Sequence, residues 1–414
     1  MCGICGQISL REVALDKYIN SIKTINNTMT HRGPDGSGIW HDDFTILGHR
    51  RLTIIDLSNA SSQPFEDKKN RFVITYNGEI YNYIEIRNEL IQKGYKFKTS
   101  GDTEVLLKAY QEFGLDVFAK LNGMFAFAVW DARNKELTIA RDPYGQKPLF
   151  YHVNKNGIVF GSELASLIKH PWIEKKLDRG SIPQYLVFDS YVSENSAIKN
   201  VKKLLPGSAI IYSQKTGKLK NITYKRQKKS VTDFYNYKNP QHFHFQKIYD
   251  TLLASVERHL RTDVPIGSYL SGGVDSTLLA IAGSELLGKK FNTFTVRINE
   301  DSFNEADIAK KTSLLLGTNH HELTLNSQDI LTKIDQILNV LDEPLADLGL
   351  VAVSVAAEIA ARNVKVVLSG DGSDEFFYGY EPFMKWQFSR FIDYFPNWMI
   401  KNLIRPIIDK NANK

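Results

Sequence analysis

IGSYLSGGVDST, running from Ile266 to Thr277, decides the fold of the second half of this chain. Its opening residues, Ile266 to Leu270, make a short apolar strand. A glycine turn follows, then a helix from Asp275 to Leu287 that Gly288 closes. A strand that ends in glycines and hydroxyls and opens a helix is a phosphate cradle, because free N–H groups at a positive helix terminus meet an anion there. It is not a Walker A loop, since no Gly-Lys-Ser/Thr ends it. A bland glycine turn is the competing reading, and the flanking strand and helix weigh against it. Asp275 has the wrong charge for a bare phosphate and suits a Mg²⁺ that bridges phosphates.

Outward from this loop, strands alternate with helices. Gln246 to Leu260 has an amphipathic helical pattern, and Phe291 to Val296 is a strand. Helices are expected over Glu305 to Leu316, Gln328 to Leu341 and Val351 to Arg362, followed by the β-branched strand Val364 to Leu368. That alternation predicts a doubly wound parallel sheet, an α/β domain. LSGDGSDE, Leu368 to Glu375, stands at the end of the last strand. Ligands of open parallel sheets bind outside the carboxyl ends of strands, so both loops should line one crevice.

The first half reads differently. Strand-like runs at Thr45 to Leu47, Phe72 to Tyr76, Phe125 to Trp130, Leu137 to Ala140 and Ile158 to Phe160 are separated by turn signals such as Asn77-Gly78 and Asn156-Gly157. Helical periodicity appears in Asn82 to Lys93 and Asp102 to Glu112. Together they predict a layered α+β domain. The domains are placed at 1–200, a linker with a hairpin near Thr216-Gly217 at 201–245, and 246–414.

Length and composition agree: 414 residues are too many for one ordinary core, and 43% hydrophobic with 24% charged residues is a soluble balance. The net charge of +6 is spread out except at Lys225 to Lys229. That cluster lacks interleaved aromatics and reads as solvated linker, so no nucleic-acid partner is expected. Glu358 interrupts the apolar stretch Leu348 to Ala361, which falls short of a membrane span. The first residues show no export signal, and two cysteines exclude a disulfide framework. A cytoplasmic protein is expected.

Cys2 carries the chemistry of the first half. With Met1 removed, one residue presents a thiol and a free α-amine of pKa about 8, a nucleophile with its own base. Cys2 and Cys5 also form a Cys-x-x-Cys spacing, but no second pair completes a zinc site and the motif does not open a helix. Cys5 reads as a small buried residue.

Polar clusters recur at strand ends: HRGPDG (His31 to Gly36), GHRRL (Gly48 to Leu52), NGEIYN (Asn77 to Asn82) and SGDTEVLL (Ser100 to Leu107). With MCGICG, QPF (Gln63 to Phe65), GMFAFAVWD (Gly123 to Asp131) and RDPYGQKPLFY (Arg141 to Tyr151), they closely resemble the class II glutamine amidotransferase domain, an N-terminal-nucleophile sandwich. Their order and spacing resemble those of asparagine synthetases, and SGGVDST resembles the pyrophosphate loop of ATP pyrophosphatases.

The resemblance implies roles. Cys2 would attack the glutamine amide, with the Asn77 side chain and the Gly78 N–H as oxyanion donors. Arg51 would take the substrate carboxylate and Asp102 its ammonium, with Glu79 nearby. The backbones near Leu270, Val296, Ser369 and Gly370 would cradle ATP together with Ser271, Gly272, Gly273 and Ser276. Asp275 and Asp374 would hold Mg²⁺. Asp371 matches a position often held by Glu and tied to forming the adenylate, and LDEPLAD (Leu341 to Asp347) would lie near the acceptor. Glutamine, aspartate and ATP are the implied substrates, and a homodimer is compatible with the reading. The resemblance ends near Phe383, where the family's helical region continues, so the second domain is expected to be incomplete at its C-terminus. Two rivals remain: the same fold acting on another carboxylate in polysaccharide or secondary metabolism, and a non-catalytic binding or regulatory protein.

Overall fold

The computed structural model describes residues 1–11, 15–67, 71–224, 241–288, 291–298, 305–347, 349–380, 383 and 395–404. The basic cluster Lys225 to Lys229 lies outside them.

The first domain opens with strand β1 (Gly3–Ser9) and helix α1 (Leu15–Thr28). Next come β2 (Gly36–His41), β3 (Thr45–Arg51), β4 (Phe65–Glu66) and β5 (Phe72–Ile80). Helices α2 (Tyr83–Gln92), α3 (Asp102–Phe113) and α4 (Val117–Lys120) precede β6 (Gly123–Asp131) and β7 (Glu136–Arg141). Then follow β8 (Phe150–Asn154), β9 (Gly157–Gly161), α5 (Leu164–Leu167), α6 (Ile182–Phe188) and β10 (Lys202–Lys203). The hairpin β11 (Ser208–Ser213) and β12 (Leu219–Thr223) closes the set.

These strands form two antiparallel sheets, ordered β10-β8-β9-β1-β3-β2 and β12-β11-β7-β6-β5-β4. Apolar side chains from both sheets, Ile4, Ile8 and Leu47 facing Val73, Ala128 and Trp130, make the central layer of the sandwich. Helices α2 and α3 cover the second sheet through Ile86, Leu90 and Leu106, and α1 covers the first through Ile22 and Ile25. The result is a four-layer sandwich with helices outside and sheets inside. The hairpin expected between the domains pairs its β11 with β7 from Ala209↔Ala140 to Ser213↔Glu136, so it extends the first domain's sheet.

Asn77-Gly78 does not separate two strands, as its turn chemistry suggested. Strand β5 runs through both residues in register with β6, Asn77↔Ala126 and Gly78↔Phe125. A Cβ on Gly78 would stand 2.2 Å from the Met124 carbonyl oxygen, so glycine is required for the strand to lie that close to its neighbour. Long-range pairing has overridden a local turn preference.

The second domain begins with α7 (Gln241–His259), β13 (Ile266–Tyr269) and α8 (Val274–Leu287). It continues through β14 (Asn292–Ile298), α9 (Ala306–Leu316), β15 (Asn319–Leu325), α10 (Ser327–Leu338), α11 (Gly349–Ala361) and β16 (Val366–Leu368). The sheet is parallel, in the order β15-β14-β13-β16. The doubly wound expectation holds, although the last strand starts at Val366 rather than Val364. Phe294, Val355 and Ile359 join the sheet to α11 on one face, while Phe291 and Ala282 pack with Val256 of α7 on the other.

Candidate active site

Cys2 stands one residue ahead of β1, a central strand held between β9 and β3 by the pairs Cys5↔Gly161 and Gly3↔Arg50. Its Sγ accepts the Leu52 N–H at 3.4 Å, and the Cys2 carbonyl accepts Arg32 Nε at 3.2 Å. Arg32 also reaches Glu163 at 3.1 Å, and His31 meets the same carboxylate at 2.7 Å. The HRGPDG segment therefore fastens the backbone beneath the thiol. Burial pushes the Cys2 thiol up, opposed by the Leu52 hydrogen bond, and burial pushes the Met1 amine down to about 6.

Strand alternation sorts the facing residues. On β5, Ile74, Tyr76 and Ile80 point toward the helices, so Thr75, Asn77 and Glu79 point toward the first sheet. Thr75 donates to the Gly48 carbonyl there at 3.0 Å. Asn77 is buried, and its Nδ2 has no hydrogen-bond partner among the described residues. A buried unpaired amide donor is costly, which makes it a mark of a site built for a ligand.

Asp102, at the first turn of α3, accepts the Tyr76 hydroxyl at 2.8 Å and the Ile80 N–H at 3.0 Å. Burial raises its pKa and those donors pull it back. Glu79 is pushed up to about 7 by burial and by Asp102, against the pull of Lys147. Arg51 gives two N–H groups to the carbonyls of Ser58 (2.8 Å) and Asp56 (2.5 Å). A guanidinium carries five, so donors remain for a carboxylate. Cys2, Arg51, Asn77, Gly78, Glu79 and Asp102 all line one cavity of about 290 Å³.

In the second domain, Ser271 and Ser276 lock the glycine loop, Oγ to Oγ at 2.9 Å, and the Ser276 Oγ donates to the Gly273 carbonyl at 3.2 Å. Gly272 has φ +89, and a Cβ there would meet the Glu305 carbonyl oxygen at 2.9 Å. The second loop packs on the first: an added Gly370 Cβ would sit 3.4 Å from the Cβ of Asp275. Ser369 Oγ accepts the Asp371 N–H at 3.3 Å. Asp275 lies in the first turn of α8, and Asp374 in the first turn of Ser373–Phe377, the short helix after β16. Strands β13 and β16 are parallel neighbours, so the two loops leave the sheet side by side. Leu270 bonds through its N–H to Phe294 of β14, the strand that carries Val296.

Residues 1–224 match the glutamine amidotransferase domain family and residues 247–413 the asparagine synthase family. A putative glutamine-hydrolyzing asparagine synthetase 2 of Methanocaldococcus jannaschii is 32% identical, covering 92% of this chain and 76% of that protein. The chain belongs to the asparagine synthetase family. Asparagine synthetase 1 of Bacillus subtilis is 36% identical over 92% of this chain and 59% of its own length. The chain thus spans about three fifths of that curated relative's length. A solved glutamine PRPP amidotransferase from B. subtilis aligns with TM-score 0.39 and 18% identity over 73% of this chain and 68% of that one.

In this asparagine synthetase family chain, LDEPLAD also meets the first domain. Asp342 accepts the N–H groups of Leu164 and Ala165, each at 2.7 Å, at the start of α5. Glu343 accepts the Ala197 N–H at 2.8 Å and pairs with Lys203 at 2.6 Å. Its two leading acids therefore fasten the second domain to the first. The cavity also contains residues given no role from sequence. Gln63 accepts the Tyr76 N–H at 2.7 Å and donates to Thr103 at 3.2 Å. Lys147 is buried, its Nζ 3.2 Å from the Met1 sulfur, and burial lowers its pKa. Both belong to recognisable motifs, QPF and RDPYGQKPLFY, but no sequence signal says that a lysine's charged end is enclosed.

Cys5 is fully buried and packs with Ile22 and Phe150, and burial raises its thiol pKa. It faces a different environment from Cys2, and both are free. Cys5→Ser should keep glutamine turnover within about twofold while costing about 1–3 kcal/mol for a hydroxyl placed among apolar groups. Urea unfolding checks the second figure and an ammonia assay the first. Loss of turnover in a folded variant would restore the redox reading. Among the described residues, no helix is long and apolar enough to cross a membrane.

Proposed function

We propose that this protein makes asparagine from aspartate, using glutamine as nitrogen donor and ATP as activator. The observation that carries the reading is the buried Nδ2 of Asn77, without a hydrogen-bond partner among the described residues, sharing a cavity with the Cys2 thiol. With Met1 removed, the Cys2 amine takes the thiol proton and Sγ attacks the glutamine amide carbon. The carbonyl oxygen becomes an oxyanion, and the Asn77 Nδ2 with the Gly78 N–H would receive it. Collapse breaks the C–N bond, the proton passes to the leaving nitrogen, and ammonia departs from a glutamyl thioester that water hydrolyses. Arg51 orients the substrate carboxylate through its remaining N–H groups, and Asp102 with Glu79 receives the ammonium.

At the second site, the glycine loop and Ser369-Gly370 hold the ATP phosphates at the start of α8. The aspartate β-carboxylate displaces pyrophosphate from the α-phosphorus, and ammonia then displaces AMP. Asp275 and Asp374 fit a Mg²⁺ by chemistry, being hard oxygen donors on two loops that pack together. That ion would offset phosphate charge when bound. Asp371 lies between Gly370 and Gly372 in the second loop, and we assign it to the adenylate step, with a shorter reach than a glutamate. Two free thiols support a cytoplasmic setting.

The test is pyrophosphate release by the full chain with ATP and Mg²⁺, with aspartate or other small carboxylic acids, and with or without glutamine. Release that needs aspartate, together with asparagine formation, supports the reading. Release that needs a different acid moves the chain to another acceptor, and binding without release overturns the enzymatic reading.

A further inference from the structure

The glutamine cavity is held together from outside its own domain. Arg51 and Cys2 are both fixed by the segment Leu52 to Ser58, which leaves β3 and crosses toward the second domain. On its inner side the Leu52 N–H meets the Cys2 Sγ, and the carbonyls of Asp56 and Ser58 hold the Arg51 guanidinium. At the centre, Asp56 adopts φ +54, a left-handed conformation that a non-glycine residue keeps only where its surroundings enforce it.

The outer side of the same segment is bound by residues of the second domain. Asp263 Oδ2 accepts the Asp56 N–H at 2.7 Å, and the Asp263 N–H donates to the Ile54 carbonyl at 3.0 Å. Lys365 Nζ reaches Asp35 Oδ2 at 2.8 Å and Thr53 Oγ1 at 3.3 Å. Asp35 in turn accepts both the N–H and the hydroxyl of Thr53. The second domain thus grips backbone or side-chain groups at Thr53, Ile54 and Asp56. Asp263 lies just before β13 and Lys365 immediately before β16, and the carboxyl ends of those strands carry the two glycine loops.

We propose that Asp263 is a positioning residue for the glutamine site, acting through Asp56 on Arg51, so that glutamine affinity is set in part by the second domain. Asp263 does not line the cavity. It holds the N–H of Asp56, and the Asp56 carbonyl, one peptide unit further on, accepts a guanidinium N–H that fixes the plane in which the remaining donors meet a carboxylate. Lys365 is the companion anchor on Thr53. The proposal rests on the reading that this cavity takes glutamine.

The test compares the full chain with Asp263→Ala and Asp263→Asn in glutamine hydrolysis and in amide hydrogen exchange of Leu52 to Ser58. The alanine variant removes the acceptor for the Asp56 N–H, while the asparagine variant keeps a side-chain oxygen in its place. Expected for Asp263→Ala is a roughly tenfold rise in KM for glutamine, with kcat changed by less than about threefold, since Cys2 and Asn77 remain on or beside central strands. The Asp56 amide should exchange about tenfold faster or more. Asp263→Asn should restore both values to near wild type.

A merely structural role would lower the active fraction, reducing kcat at constant KM, and that result overturns the proposal. Identical behaviour of the two variants overturns it as well. If Asp263→Ala does not fold, judged by near-ultraviolet circular dichroism, Asp263→Ser replaces it, because the shorter hydroxyl does not reach the amide. If the wild-type chain hydrolyses no glutamine, the functional reading fails on its own. Amide exchange still tests the Asp263–Asp56 connection in that case, and unchanged exchange refutes it.

Discussion

Cys2→Ala is expected to abolish glutamine hydrolysis, with kcat/KM falling roughly 10⁴-fold or more, as when a covalent nucleophile is removed. The fold should be untouched. The side chain stands ahead of the first strand, half-buried at the rim of the cavity, and the β1 pairings to β3 and β9 start at Gly3 and Cys5. The backbone beneath it is fastened by Arg32 through the Cys2 carbonyl, which alanine retains. The variant should therefore bind glutamine and fail to release ammonia. Ammonia formation at a few per cent of the wild-type rate or more would mean that another group performs the attack, and the reading built on the thiol would fall. Supplying free ammonia separates the two sites. In the Cys2→Ala chain, aspartate- and ATP-dependent pyrophosphate release should persist with ammonium salts, because among the described residues the sulfur's hydrogen bonds go to Leu52 of the first domain.

The second large effect is expected at Asn77. Asn77→Ala should lower kcat by roughly 10² to 10³ while raising KM by less than about threefold. The split follows from where the donor is used. Among the described residues the buried Nδ2 makes no hydrogen bond that the folded protein would lose. A hydrogen bond made only when the amide oxygen gains charge lowers the transition state and leaves the ground state alone. Stability should change little or even rise, since the substitution removes an unsatisfied polar group. Steady-state kinetics with glutamine and a urea titration together check this. An equal rise in KM with unchanged kcat would assign Asn77 to ordinary substrate binding. Asn77→Asp is a sharper version: it keeps the shape, replaces the donor by an acceptor, and should be as inactive as alanine.

The parts of the molecule legible in sequence were those whose cause is local. The strand–glycine loop–helix at Ile266 to Leu287, the alternation that makes a parallel sheet, and the five apolar runs of the first half all lie inside the elements described. Each of those five runs lies within a longer strand. Elements without a local signature were missed. Strand β1 is fully buried yet begins Gly-Ile-Cys-Gly, a poor strand sequence on propensity alone, and becomes a strand because β3 and β9 pair with both its edges. Also missed were β2, which starts with Gly-Ser-Gly, and β15, which starts with Asn319, His320 and His321; each is an edge strand made by pairing on one side, with β3 and β14.

What the sequence determined by itself is the chemistry on offer: a thiol near the amino terminus, amide and guanidinium donors at strand ends, carboxylates and glycines after parallel strands. Those depend on residue type and on spacing within one element, which the chain carries wherever it goes. Tertiary structure alone decided which of these groups meet, that the Asn77 donor has no partner among the described residues, that a lysine is enclosed in the cavity with Cys2, and that Asp263, Asp342 and Glu343 serve the neighbouring domain. Contacts between residues far apart in sequence arise only when packed layers bring distant strands together, and burial, which sets both pKa and the cost of an unpaired donor, exists only after that packing is complete.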